Sequence, residues 1–211
     1  MNIFKEINIS KIYKDKNKDK FPRFNSWEHC YKAFGEKHDN DYLALHLSFY
    51  LASWGMYRGS SKLLQKDYKI HVEAVGIINN YKDLRNVIIS TNLDNIIQLK
   101  DELVGYYANN RVSATDTLIS KILMGTLGCL PAFDRFFKDG VVANNLKFKS
   151  LKKSSLEYLF SFIEDNINQL ESLQKQVNKQ QKIDYPIMKI VDMLFWNKGF
   201  ELDKNKRKSK S

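Results

Sequence analysis

At 211 residues, with 43% hydrophobic and 13% aromatic side chains, the chain has material for one sizeable core, which excludes global disorder. Nine glycines and three prolines are too few for a sandwich or barrel that turns every ten residues, and no run approaches the roughly 18 apolar residues of a membrane span. A net charge of +10 and a pI near 9.4 favour a polyanionic partner, nucleic acid above all.

The first twenty residues are polar and lysine-rich instead of apolar, so they do not read as a signal peptide, and a cytoplasmic protein is expected. The charged connector at 11–20 closes a basic N-terminal segment, 1–25. Ser26 is expected to cap a helix ending near Gly35, with Glu28 beside the free amides of its first turn. A second helix follows the Asp39-Asn-Asp cluster. Its Leu43, Leu45, Leu47, Phe49, Tyr50, Leu51 and Trp54 point in nearly every direction, which predicts a central buried helix stopping at Gly55.

Shorter helices are predicted near 62–66 and 70–80. Leu93, Ile96, Ile97, Leu99, Leu103, Val104 and Tyr107 then mark a long one over 92–108. The next covers about 115–127, with Ser113 and Asp116 in a capping pattern. A long polar helix is expected over 154–181, and a last one from Pro186 to about Asn197. Residues 201–211 carry five cations beyond 203 and no acid there. They read as a basic disordered tail, leaving a body of about +5. The expected architecture is all-α, a single compact domain of seven to nine helices over 26–200.

Cys30 and Cys129 match no metal spacing and suit reduced, partly buried thiols. His38, His46 and His71 show no mutual metal spacing either, and His46, inside an apolar helix, reads as a hydrogen-bonded core histidine. His29 and Cys30 are helix neighbours pointing about 100° apart, so they cannot act as a nucleophilic pair. No Walker loop, dinucleotide glycine motif or Gly-x-Ser-x-Gly elbow is present, which argues against ATP-driven, hydride-transfer and serine-hydrolase chemistry. No metal or cofactor is expected.

The most informative stretch is Ser120-Lys-Ile-Leu-Met-Gly-Thr-Leu-Gly-Cys-Leu-Pro-Ala-Phe-Asp134: an apolar helix, a stop at Gly128, a turn with Pro131, and one carboxylate opening the next helix. With the helix before it, this unit resembles the helix-hairpin-helix DNA glycosylase superfamily over about 90–142, a quarter of the chain. The resemblance implies a helix-hairpin-helix glycosylase-like fold. It also implies that Asp134 stabilises the positive charge on the sugar as a base departs, or activates the attacking water. Members that also cut the strand carry a lysine near the start of the second hairpin helix. That slot falls close to Thr117, and Lys121 lies one turn deeper. A monofunctional enzyme using water is therefore expected, with Lys121 the alternative nucleophile.

Residues 109–115 lack the glycines usual in the hairpin, so phosphate contacts would fall to helix-start amides at 113–117. On this reading double-stranded DNA lies along Arg111, Ser113, Thr115, Arg135 and Lys138. A flipped base reaches a pocket made by Trp54, Tyr57 and Arg58, with a role in defence against phages carrying modified DNA. Trp54 also suits the core, and Asp134 also suits a helix cap. The alternatives are a ribonuclease or toxin, since Arg23 and His29 resemble the Arg-x5-His motif of HEPN-type ribonucleases, and a non-catalytic nucleic-acid-binding helical protein.

Overall fold

The computed structural model describes residues 3–6, 19–59, 61–179, 181 and 183–209. Among these the fold is all-helical, as its few glycines and prolines predict. A helical turn, Ile3–Glu6, precedes nine helices: α1 (Asn25–Ala33), α2 (Asn40–Ser53), α3 (Ile70–Asn79), α4 (Leu93–Asn109), α5 (Asp116–Thr126), α6 (Arg135–Ala143), α7 (Lys153–Asp165), α8 (Ile167–Asn178) and α9 (Ile187–Lys208). No strand occurs among the described residues.

The most enclosed helix is α5, not α2. Every residue from Leu118 to Thr126 is buried. On α2, Leu43, Leu47, Tyr50 and Leu51 face inward, while Tyr42, Leu45 and Phe49 form an outward stripe, Phe49 being 60% exposed. The run of apolar residues hid this two-sidedness, because composition alone does not say which stripe meets a neighbour.

Several helix ends differ from expectation for local reasons. Ser26 does not cap α1; it is buried one position inside, and its hydroxyl donates to the Arg23 carbonyl. Thr115, not Ser113, caps α5 by accepting from Leu118 N, and Asp116 turns away to accept from Leu151 N. The long polar helix is two, α7 and α8, parted at Asn166, whose side-chain amide donates back to the Phe162 carbonyl. The boundary expected at 200 falls inside α9, which continues to Lys208; residues 210–211 lie outside the described residues. Of the basic N-terminal segment, 7–18 lie outside them too, while Ile3 is buried and Phe4 stacks on Phe162.

Two crossings hold the site together. Gly128 ends α5 with φ +62°, and a side chain there would meet Pro186 and Tyr31 as well as strain the backbone. At the α6–α9 crossing the backbones touch. A Cβ on Gly140 would stand 1.9 Å from the Phe195 carbonyl oxygen, and one on Gly199 would stand 1.9 Å from that of Phe136. Glycine on both partners is what lets the start of α6 lie against the middle of α9.

Candidate functional site

The turn before α6 is buried, yet its backbone polar groups are satisfied by side chains from two other elements. Ala132 N donates to Asp192 Oδ1 (3.1 Å) and Phe133 N to Ser120 Oγ (2.8 Å), while Thr117 Oγ1 donates to the Phe133 carbonyl (3.0 Å). A buried amide without a partner costs about 1–3 kcal/mol, so these contacts lock the turn in one conformation. Asp134 inherits that rigidity.

The Asp134 carboxylate has two occupations. Oδ1 caps α6 by accepting from Phe137 N at 3.1 Å. Oδ2 accepts from Trp196 Nε1 at 3.2 Å and stands 3.7 Å from Lys121 Nζ. Capping therefore uses one oxygen only, and Asp134 also lines a cleft. Burial pushes the Asp134 pKa up from the ordinary carboxylate value, with the Lys121 charge opposing that shift and Asp192 adding to it. Burial likewise pushes Lys121 down, against the pull of Asp134 and Asp192. Desolvation outweighs attraction for both members, so each is held closer to neutrality than a surface group.

Lys121 is 5% exposed and donates to the Trp54 carbonyl at 2.9 Å. Beside it a second buried pair, Lys189 with Asp192, closes at 2.7 Å, and Lys189 Nζ lies about 5 Å from the ring centres of Phe24 and Trp27. Asp192 and Asp134 satisfy buried amides, but desolvating two whole ion pairs is often no better than a hydrophobic filling of the same volume. A perturbed carboxylate and amine, Asp134 and Lys121, side by side at a cleft are what a functional site can use.

Above this floor opens a cleft of about 600 Å³, within the range of small-ligand sites. Its walls include Trp54 and Trp196, whose rings meet nearly at right angles (84°, 6.3 Å between centres). Four guanidinium groups line it: Arg23, Arg58, Arg135 and Arg207. Arg23 lies 4.7 Å over the Trp54 ring and Arg135 4.7 Å over Phe136. Arg135 and Arg207 share Asp203, at 2.7 and 2.9 Å. The buried indole N–H of Trp54 has no acceptor.

Of the residues singled out from sequence, Asp134, Lys121, Trp54, Arg58 and Arg135 meet at this cleft. Tyr57 does not. Its hydroxyl turns inward to Ser48 Oγ (3.1 Å) and His71 Nε2 (2.7 Å), because the loop after α2 sends alternate side chains to opposite sides. Arg111, with φ +60°, Ser113 and Thr115 are exposed on the α4–α5 connection and Lys138 is half-buried on α6; none of them lines the cleft. Of the Arg-x5-His pair, Arg23 lines the cleft and His29 does not. The core histidine is His71, fully buried, whereas His46 is partly exposed and packs at a tilt against Tyr42. Both thiols are free and buried, and burial pushes Cys129 up to about 12. No group of three or more His, Cys, Asp or Glu side chains forms a metal site among the described residues. No helix among them is long and apolar enough to cross a membrane.

Trp196, Asp192, Lys189 and Arg207 escaped the sequence reading. A signal existed for two of them: Lys189 and Asp192 interrupt the apolar run Ile187-Met-Lys-Ile-Val-Asp-Met-Leu-Phe195 at helical spacing, where a lone charge is not tolerated. Trp196 carried none, since its role depends on the α6–α9 crossing. No family model matches the chain, and no curated protein or solved structure is significantly similar to it.

Proposed function

We propose that the chain is a DNA N-glycosylase of the monofunctional kind, acting on a modified or damaged base turned out of a DNA duplex. The observation that carries this reading is Asp134, whose Oδ1 caps α6 and whose Oδ2 is held by Trp196 and Lys121, at the wall of a nucleotide-sized cleft lined by indoles and guanidinium groups. Trp54 and Trp196 give the cleft aromatic walls against which a base can pack, and Arg23 and Arg58 offer charge for the phosphate beside it. Arg111, Ser113, Thr115 and Lys138 lie outside the cleft and serve the duplex backbone.

The bond between the base nitrogen and the sugar C1′ breaks, and its electron pair leaves with the base. Asp134 stabilises the positive charge developing on the sugar and takes a proton from the water whose oxygen bonds to C1′. The departing base acquires a proton from solvent. Lys121, held by Asp134 and the Trp54 carbonyl, keeps the carboxylate oriented; an amine spent on those two contacts is not free to attack the sugar. A role against phage DNA with modified bases is one setting for such an enzyme.

The test is incubation with duplexes carrying a panel of modified bases, followed by alkali to cut abasic sites. Cleavage by the wild type, lost in Asp134→Asn with DNA affinity kept or raised, is the expected result. Asparagine caps a helix nearly as well as aspartate, so the variant keeps the start of α6. Excision unchanged in Asp134→Asn would reduce Asp134 to a cap and end this reading.

A further inference from the structure

Beyond the base pocket, one face of α9 carries Trp196, Phe200, Asp203 and Arg207 at helical spacing of four, three and four residues. Phe200 stacks nearly parallel on Trp196 (5.1 Å, 11°) and is 39% exposed, with Phe136 packed edge-on against both. An aromatic strip thus leads out of the cleft along α9, flanked by Arg135 and Arg207. At its inner end stand Trp54, Arg23 and Arg58, and these two arginines have no acidic partner among the described residues. An exposed ring, Phe200, leading from partly buried ones and flanked by cations suits bases and phosphates taken in turn from one strand. Paired bases cannot present their faces to such a strip.

We infer that the cleft and this face of α9 form a binding track for single-stranded DNA. The nucleotide beside the one held over Asp134 stacks on Phe200, and its phosphate lies against Arg207 and Arg135. Asp203 holds those two guanidiniums side by side before the strand arrives. The track rests on the base-excision reading for the identity of its ligand as DNA, and it takes up the strand that carries the turned-out base where the duplex has opened beside it.

Binding to unmodified DNA tests it without any excision. Fluorescence anisotropy of a labelled 15-nucleotide oligothymidylate, and of its duplex with oligoadenylate, should show the tighter affinity for the single strand. Phe200→Ala should weaken single-strand binding roughly five- to hundredfold, the loss expected for one stacked base, and leave duplex binding unchanged. Arg207→Gln, at an exposed position where folding is not at stake, should lower the salt dependence of single-strand binding by about 0.7 in the log–log slope. Equal or tighter duplex binding, or single-strand affinity that neither variant alters, overturns the track. Base excision without strand preference would remove the track and keep the enzyme; strand preference without excision would do the reverse.

Discussion

Two buried polar clusters sit on opposite sides of the loop that follows α2, and they are built on opposite terms. On one side Ser48, Tyr57, His71 and Tyr107 form a neutral chain in which each group is matched: His71 Nε2 meets the Tyr57 hydroxyl at 2.7 Å and Nδ1 meets that of Tyr107 at 2.6 Å. His71 is fully buried, and burial pushes its pKa down to about 4, so it is uncharged near neutral pH. On the other side Lys121, Asp134, Lys189 and Asp192 form two buried ion pairs, of which Lys121 and Asp134 line the cleft. A closed neutral network fixes a core, whereas an open charged one leaves interaction energy unspent for a ligand. Adjacent residues 57 and 58 belong to different clusters, so nearness in sequence to a functional side chain says little.

The largest expected effect comes from the crossing that supports the charged cluster. Gly140→Ala places a Cβ against the Phe195 carbonyl, so α6 and α9 must part, although alanine elsewhere in a helix is favoured over glycine by about 1 kcal/mol. A loss of about 3 kcal/mol or more in chemical denaturation is expected. Trp196 should move off Asp134 as well, seen as a shift in tryptophan emission. A stabilised Gly140→Ala protein would show that the helices can part at this crossing, and the charged cluster would lose its rigid base.

Acid should next separate the clusters. His71 is neutral when folded, with its pKa depressed from 6.5 to about 4, and the unfolded chain takes up a proton first as pH falls. The stability His71 contributes is complete above about pH 6.5 and is lost between there and pH 4, about 3 kcal/mol in all. His71→Gln should flatten that part of a stability–pH profile. Asp134 acts oppositely: its raised pKa moves the acid limb of any excision activity above the ordinary carboxylate value, since the ionised form is the working one. An acid limb at the unperturbed value of 3.8 would mean that the carboxylate is solvated.

Much of the fold was legible because helix periodicity survives in one sequence: the buried Leu93, Ile96, Leu99, Leu103 and Tyr107 of α4 are the residues whose spacing predicts it. Asp134 was legible too, as the first polar residue after a proline turn. The α2 face was not, since a stripe of Leu45 and Phe49 reads as core whether or not anything covers it. Nor were Trp196 and Arg23 legible as neighbours of Trp54, because they come from α9 and the approach to α1, and only the glycine crossing and the locked turn bring them together. Local pattern reports what a residue prefers; assembly decides which preferences meet.

The smallest expected effect is the most discriminating. Tyr57→Phe deletes one hydroxyl, leaving His71 Nε2 without its buried partner and Ser48 without its acceptor, at a cost of about 1 kcal/mol. The ring remains, so packing is kept and Arg58 stays at the cleft. If the two clusters are independent, thermal denaturation should register the loss while DNA binding and excision stay within twofold of wild type. A large loss of binding in Tyr57→Phe, with Tm scarcely changed, would place Tyr57 back beside the ligand and merge the two clusters into one site.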